Sequence, residues 1–257
     1  MKLYVKASSS YVSDQEDIEV KKELKAKYKL DTRRQDAFIH LAVLGAQRLK
    51  EKINIKEDTQ LYVTSTLGNI EILQKTQDYV IDKGDFIKPY DFINMLGNTT
   101  NYYVASSLGV KDKNLYQISD NFTFIHSVMA IYASLYNTNK EAILGAVDLV
   151  SSPEIISKRL LDVNKETELS SSSCYQLLSF DKEDAVAEII FDAKIYTKEA
   201  LNILLNSSSK NIVYSSSFTH LHISRIINKS IEQKTDILYV DSYDDKYKIL
   251  ELNLLTK

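Results

Sequence analysis

The sequence predicts a layered α/β fold. Segments rich in β-branched and apolar residues alternate with segments of helical periodicity along the chain, and this alternation is typical of sheets covered by helices. Residues 61–65 (LYVTS) are apolar on both faces, as expected for a strand with helices on both sides. The 257 residues, 44% of them hydrophobic, suffice to bury a sizeable core. We expect one domain over residues 1–257, because its two prolines and six scattered glycines form no linker.

The elements follow from this pattern in chain order. Residues 3–7 form the first expected strand, and the charged stretch up to Lys29 is a surface loop or helix. Residues 33–52 are apolar almost all round their middle, which indicates a buried helix capped by Asp31 or Thr32. Gly68 marks a turn after the strand at 61–65. Further strands are expected at 115–119, 143–150, 175–180, 185–195, 211–215, 237–241 and 248–254, and further helices at about 91–108, 126–136 and 221–233.

Composition excludes several classes of protein. With 32 basic and 35 acidic residues, and no block of lysines, the chain has no field that would attract a nucleic-acid backbone. The N-terminal segment MKLYVKASSSYV lacks the apolar core of a signal peptide, and no run of about 18 apolar residues follows. Cys174 is the only cysteine, so no disulfide framework and no cysteine-based metal site is possible. We therefore expect a cytoplasmic protein with no membrane span, no nucleic-acid partner and no cofactor.

Local motifs for catalysis or metal binding are weak. The sequence contains no P-loop, no G-x-G-x-x-G, no G-x-S-x-G and no H-E-x-x-H. His220 and His222 have no acidic residue or cysteine at matching ligand spacing, so we interpret the pair as structural. His126 is expected to cap a helix or lie at the surface. The acidic residues of DSYDDKYK, which are Asp241, Asp244 and Asp245, are expected in a solvated turn between two strands.

Five segments between residues 31 and 152 occur in the order found in one enzyme family. They are RRQDAFIHLAVLGAQRL, LYVTSTLGNIE, FIKPYDFINMLGNTTNYYVASSLGVKDK, NLYQISDNFTFIHSVMAIYASL and AILGAVDLVS. They resemble, in turn, five parts of the N-terminal half of the β-ketoacyl synthases: an R-x-D-R-F helix, a strand before a G-[ST]-x-x-G turn, a P-x-x-F segment ending in L-G, the nucleophile elbow with its buried helix, and a strand ending in G-G-x-E. The matching residues of the third segment are Pro89, Phe92, Asn98, Ala105, Leu108 and Gly109.

This resemblance implies a thiolase-like layered α-β-α-β-α fold that is abbreviated in its C-terminal half. Residues 1–165 would form the N-terminal ketosynthase-like half and residues 166–257 the shortened C-terminal half. About 90 residues follow Ser170, roughly half of what a complete synthase carries there.

The chain departs from the family where the chemistry lies. The family keeps a cysteine at the start of the buried helix, where backbone N–H groups and the helix dipole lower its pKa. Counting back from Ala130 places that position at Phe124, whereas counting forward from Ser119 places it at Phe122. Neither side chain can form a thioester. The family's two histidine turns have no match in the C-terminal half, and Cys174, which begins an apolar strand, is expected to be an inert buried thiol.

Short chains with these losses resemble the chain-length-factor partners of aryl polyene ketosynthases. The resemblance implies a non-catalytic subunit that pairs with a complete β-ketoacyl-acyl-carrier-protein synthase in fatty acid or polyketide elongation, with the acyl carrier protein as an indirect partner. A homodimer would use the same edge strand. The implied dimer-interface residues are Asn98, Leu115, Tyr116, Gln117, Ile118 and Ser119; the implied acyl-tunnel and chain-length residues are Met95, Leu96, Tyr102, Tyr103, Phe122 and Phe124.

One alternative function remains from the sequence. The chain would then be an independent thiolase-fold enzyme, related to 3-oxoacyl-carrier-protein synthases, that acts as a decarboxylase or acyl hydrolase with an active site that lacks cysteine. Activity of the purified chain alone on an acyl-carrier substrate would distinguish this function from the first.

Overall fold

A computed structural model of the protein describes residues 1–119, 122–216, 218–219 and 222–255. The elements up to the middle of the chain are β1 (Lys2–Val12), α1 (Val20–Ala26), α2 (Ala37–Lys52), β2 (Gln60–Thr64), α3 (Ile70–Gln77) with a π-helical turn (Asp78–Asp82), α4 (Pro89–Asn94), α5 (Gly97–Leu108), β3 (Asn114–Gln117), α6 (Thr123–Leu135), β4 (Ala142–Asp148), α7 (Ile155–Leu160) and β5 (Ser172–Ser179). The remainder are β6 (Ala187–Phe191), α8 (Lys198–Ser207), β7 (Asn211–Tyr214), α9 (Ile223–Gln233), β8 (Ile237–Tyr243) and β9 (Lys246–Leu254). None of the described helices is both long and apolar enough to cross a membrane.

The strand order shows an internal repeat. The described strands form one sheet in the order β3-β2-β4-β5-β1-β6-β9-β8-β7. The centre of this order lies between β1 and β6. Counted outward from it, one side of the sheet runs β1, β5, β4 and β2, and the other side runs β6, β9, β8 and β7 in corresponding positions. The directions match as well, because β2 is parallel to β4 and β7 to β8, while β5 and β9 are antiparallel to their neighbours. Only β3 has no counterpart in the described part of the chain, so the second half of the repeat is abbreviated.

Two half-sheets enclose a central layer of helices. In β2 and β4, alternate residues Tyr62 and Leu144 belong to a central apolar cluster, whereas Leu61 and Ile143 belong to an outer cluster around α2. In β8, Tyr239 faces the central cluster and Leu238 faces outward toward α8. The central cluster also holds the apolar faces of α6 and α9. Because strand residues alternate between faces, the layers run α2, half-sheet, α6 with α9, half-sheet, α8.

The two half-sheets meet at the first strand. Residues 2–5 of β1 pair with β6, and most of β1 pairs with β5. The strand β5 lies after residue 165 but is bonded to β1 and β4. We therefore propose that the chain forms one domain and that the boundary between its two halves falls after β5.

Several expected boundaries were wrong. The helix expected at 33–52 begins at Ala37 and is capped by Asp36, because Arg34 has a left-handed backbone (φ 64°) that no helix continues. The helix expected at 91–108 is two helices, since Leu96 is extended. The strand expected at 185–195 ends at Phe191, and α8, which was not expected, follows it. These errors share one cause: single backbone conformations and tertiary contacts interrupt patterns that look continuous in sequence.

Candidate functional site

A cavity of about 650 Å³ lies where the two central helices begin. Its walls are formed by residues just after β2, β3 and β7, by the end of β8, by the first residues of α6 and α9, and by residues 160–163 of the β4–β5 connection. Ligands of α/β sheets bind beyond the carboxyl ends of parallel strands, and β2, β3 and β7 end here. This cavity is therefore the candidate site.

Phe122 occupies the start of α6. It is the N-cap residue, it has a left-handed backbone (φ 50°, ψ 25°), and its side chain makes no capping hydrogen bond. A non-glycine residue in this conformation is strained by about 1–2 kcal/mol, and such strain concentrates at functional sites. Phe124, the second residue of α6, also lines the cavity. Both phenylalanines that sequence counting placed at the nucleophile position thus face the same space.

His222 occupies the start of α9, opposite Phe122. Its Nδ1 lies 2.8 Å from Ser224 Oγ, its Nε2 lies 3.9 Å from Asp148 Oδ2, and its side chain is 12% exposed. Burial lowers the pKa of His222, although the charges of Asp148 and Asp241 oppose this shift. The ring is therefore largely neutral at physiological pH. His220, the other member of the sequence pair, lies outside the described residues.

Asp148 supports this arrangement from behind the histidine. It ends β4, it is buried, and its Oδ1 accepts hydrogen bonds from Ser65 Oγ (3.1 Å) and from the Thr66 backbone N–H (2.8 Å). Charge-assisted bonds of this kind are the strong ones. Asp148 therefore holds the turn after β2 against the end of β4, next to His222.

The edge strand β3 ends at the cavity, because Ile118 and Ser119, which follow it, line the wall. Among the described strands it pairs with β2 alone. Leu115 (40% exposed), Ile118 (48% exposed) and Asn98 on α5 are accessible to solvent. Tyr116 turns toward α5, where its ring packs on Gly97 and burial raises its pKa. Side-chain alternation thus places Tyr116 and Ile118 on one face of the strand and Leu115, Gln117 and Ser119 on the other.

Gln117 and Ser119 turn toward α6, on the face of the strand opposite to that of Tyr116. Gln117 Oε1 accepts a hydrogen bond from Ser127 Oγ, and Ser119 Oγ lies 2.8 Å from Thr123 Oγ1. These two residues therefore join β3 to the helix that begins at the cavity.

Ketosynthase structures superpose on this architecture, whereas no protein-family model and no curated protein sequence matches the chain. A chain of AntDE:AntF, a type II polyketide synthase acyl-carrier protein in complex with its ketosynthase bound to the hexaketide, aligns with a TM-score of 0.68 at 11% identity over 99% of each chain. The chain has a thiolase-type fold. The ishigamide ketosynthase/chain length factor aligns with a TM-score of 0.65 at 11% identity, covering 93% of this chain and 86% of that chain. The ketosynthase ApeO in complex with its chain length factor ApeC, from Xenorhabdus doucetiae, gives a TM-score of 0.58 at 10% identity over 98% and 99% of the chains. The α/β class and the thiolase-like layering expected from the sequence are confirmed.

The other expected tunnel residues lie away from the central cavity of this thiolase-type fold. Tyr102 and Tyr103 line a separate groove of about 400 Å³ beside Arg33 and Arg34. Met95 and Leu96 form the joint between α4 and α5. Of the six, Phe122 and Phe124 alone line the central cavity.

The expectation that Asp241 lies in a solvated turn with Asp244 and Asp245 was wrong. Asp241 belongs to β8 and lines the cavity, where it accepts a hydrogen bond from Ser215 Oγ (2.7 Å). Burial raises the pKa of Asp241. Asp244 and Asp245 do form the turn, both with left-handed backbones. The sequence signal for Asp241 was its position at the end of an apolar strand, which the run of acidic residues obscured.

His126 and Cys174 play no part in lining the cavity. His126 is the fourth residue of α6, not its cap, and its ring packs edge-on against Phe122 with centroids 6.0 Å apart. Cys174 is fully buried in β5, and burial raises the pKa of its thiol to about 12. The thiol therefore stays protonated, as expected of an inert cysteine. Among the described residues, no group of three histidine, cysteine or acidic side chains is arranged to hold a metal ion.

Proposed function

We propose that this chain is a non-catalytic, ketosynthase-like subunit that pairs with a complete β-ketoacyl-acyl-carrier-protein synthase. It would act as a chain-length factor in fatty acid or polyketide elongation of the aryl polyene type, in the cytoplasm. One observation carries the proposal. A phenylalanine with the strained backbone of an elbow stands at the start of α6, facing the cavity, where a catalyst of this fold needs a nucleophile.

The chemistry at Phe122 supports the absence of catalysis. A phenyl ring has no lone pair that can attack a thioester, and Cys174 is buried and protonated. The N-terminus of α6 still carries the partial positive charge of the helix dipole. We infer that Phe122, and not Phe124, occupies the nucleophile position, because only Phe122 precedes the helix in a left-handed conformation.

An exposed apolar surface supports a protein partner. More than half of the exposed large hydrophobic side chains in the described residues fall between residues 73 and 118, and Phe86 is 96% exposed. We call this set of exposed side chains, which are close in sequence, the apolar face: Leu73, Val80, Ile81, Phe86, Tyr90, Phe92, Ile93, Leu96, Tyr102, Leu115 and Ile118. Exposed apolar area of this kind marks interaction sites. It adjoins the free edge of β3, which offers backbone hydrogen bonds to another strand.

The solved structures that share this fold support the choice of partner. Two of them are described as a ketosynthase with a chain length factor, and a third as a ketosynthase in complex with an acyl-carrier protein. We therefore propose a complete ketosynthase as the direct partner and an acyl carrier protein as the indirect one. Leu96 and Tyr102, which lie in the apolar face, would limit the acyl chain from the partner's side, together with Met95 and Tyr103.

Co-expression with a complete ketosynthase from the same gene neighbourhood tests the proposal. We expect the two chains to purify as a stable complex and product length to change when this subunit is omitted. Phe92→Lys with Leu115→Lys should abolish the complex and change the free energy of unfolding by less than about 0.5 kcal/mol. The matched control is Ile195→Lys with Ile203→Lys, two exposed sites outside the apolar face, which should leave the complex intact.

Three results would contradict the proposal. No complex elutes, or product length does not depend on the subunit, or both double variants behave alike. A stable homodimer that dissociates in the Phe92→Lys, Leu115→Lys variant would support the proposed interface but contradict the proposed heterodimer.

A second candidate function is an independent acyl hydrolase or decarboxylase. The observation that favours it is the His222–Asp148 pair beside the cavity, with the hydroxyl groups of Thr123 and Ser215 at the cavity wall. A histidine is the usual general base, and the Asp148 carboxylate, 3.9 Å from His222 Nε2, is near enough to favour its charged form without a hydrogen bond to the ring. Turnover of malonyl- or acyl-carrier substrate by the purified chain, lost in His222→Gln, would establish this function and exclude the first.

A further inference from the structure

The charge of the cavity is unbalanced. Two carboxylates line it, the half-buried Asp241 near the floor and the exposed Asp162 at the rim. The buried Asp148 lies just behind His222. No lysine or arginine lines the cavity within the described residues. The sequence places none at the neighbouring positions 120, 121, 217, 220 and 221 either.

The nearest cationic side chains of the central helices and strands are engaged elsewhere. Arg225 on α9 donates to Ser170 Oγ and pairs with Asp14. Lys248 on β9 is buried and donates to the Ala193 carbonyl. Neither side chain lines the cavity, and the charge of Arg225 acts there only through His222, whose pKa it helps to lower.

The remaining positive charge is small. His222 is held neutral by burial, so it adds no full charge. The N-termini of α6 and α9 each contribute about half a unit charge, which is less than the charge of the carboxylates they face. The wall also carries three aromatic rings, from Phe122, Phe124 and Tyr239, beside uncharged hydroxyl residues such as Thr66 and Ser216. Aromatic faces attract cations as well.

We propose that this cavity binds the end of a ligand that is uncharged or positively charged and rejects a carboxylate, with Asp241 as the residue that sets this selectivity. The inference concerns the isolated chain and does not depend on a partner subunit. It has a direct chemical consequence: an acyl group that ends in a carboxylate, such as malonyl, is a poor ligand for the cavity, whereas a plain or amine-bearing acyl group is accepted.

Three six-carbon probes test the selectivity at pH 7.5. Hexylamine, hexanol and hexanoate differ in charge but hardly in length, and each is short enough for a cavity of about 650 Å³. We expect hexylamine to bind at least about tenfold more tightly than hexanoate, with hexanol between them, as measured by calorimetry or by NMR titration. A tenfold ratio corresponds to about 1.4 kcal/mol.

Substitutions test which carboxylate sets the selectivity between the probes. Asp241→Asn should narrow the ratio of hexylamine to hexanoate affinity to within about threefold, whereas Asp162→Asn, at the exposed rim, should change it less. If Asp241→Asn does not fold, Asp241→Ser removes the same charge with a smaller side chain. Phe122→Trp, which places a larger ring at the cavity wall, should weaken the binding of all three probes.

The proposal is overturned by any of four results. Hexanoate binds as tightly as hexylamine or more tightly, none of the probes binds, the ratio survives the loss of the Asp241 charge, or Phe122→Trp leaves binding unchanged. The failure of a complex with a ketosynthase would contradict the proposed function and leave this selectivity standing.

Discussion

The backbone of Phe122 carries the functional argument at the scale of single residues. A left-handed conformation suits glycine or asparagine and is unfavourable for a bulky aromatic residue. The fold nevertheless holds Phe122 there, between β3 and the start of α6. The elbow therefore belongs to the scaffold and does not require a reactive side chain. A cysteine introduced at this point would stand at a helix N-terminus, which lowers thiol pKa values.

Phe122→Cys should gain one thiol that reacts with iodoacetamide in the folded protein at pH 7.5. The wild-type chain supplies the control, because burial raises the pKa of its single thiol, Cys174, to about 12. We expect alkylation of Phe122→Cys to be at least about tenfold faster than that of the wild type, as measured by mass spectrometry. The same thiol in Phe124→Cys, within the helix, should react more slowly. Equal rates for the two variants would contradict the assignment of Phe122 to the elbow.

At the scale of elements, α2 shows how a single cap can join several segments. Asp36 Oδ1 accepts a hydrogen bond from the Ile39 backbone N–H (3.0 Å), and Asp36 Oδ2 accepts one from Asn69 (2.7 Å). The Asn69 amide also donates to the Asn94 carbonyl at the end of α4. The cap of α2 thus fixes the start of α3 and the end of α4, which carry part of the apolar face.

The Asp36→Ala substitution should therefore lower the free energy of unfolding more than the loss of an ordinary helix cap does. We expect a loss of about 2–3 kcal/mol in the free energy of unfolding, because the Asn69 donor is left without its carboxylate as well. Thr197→Ala is the matched control: Thr197 caps α8 through one long bond (3.4 Å) to Ala200 N, and its loss should cost about 0.5–1 kcal/mol. Urea unfolding at constant pH measures both. Equal losses would show that the link to Asn69 contributes nothing.

The elements also show how much of the structure could be predicted from the sequence. The strands were predictable because their two-faced apolar pattern reflects burial on both sides, and α2 because its apolar residues surround the helix. The break in the helix at Leu96 could not be predicted, because next to it Gly97 packs against the ring of Tyr116, which belongs to another element. Nor could the site itself be predicted, because His222 and Asp148 are 74 residues apart (222 minus 148) and meet only through the fold. Counting along the sequence left Phe122 and Phe124 as alternatives for the nucleophile position, and our proposal of Phe122 rests on its backbone angle.

At the scale of the whole molecule, buried polar groups connect the two halves. Asn228 of α9 donates to the Ser9 carbonyl of β1, and Gln176 of β5 donates to Asn228 Oδ1. The Arg225 guanidinium reaches Ser170. Each of these bonds crosses from the second half of the repeat to the first, and buried polar groups without a partner are costly. The halves should therefore unfold together as one cooperative unit.

Acid should destabilise this unit through its histidines. Burial lowers the pKa of His40, His126 and His222 in the folded state. The unfolded chain therefore binds more protons below about pH 6.5, and stability is lost as pH falls from there toward the folded values. The loss is at most about 1.4 kcal/mol per pH unit for each histidine. Burial raises the pKa of Asp36, Glu71 and Asp241, which opposes the loss as pH falls through their raised folded values. Urea unfolding at pH 7.5, 6.5 and 5.5 should show the decline due to the histidines, and His222→Gln should reduce its slope. An unchanged slope in the variant would mean that His222 is not buried in its neutral form.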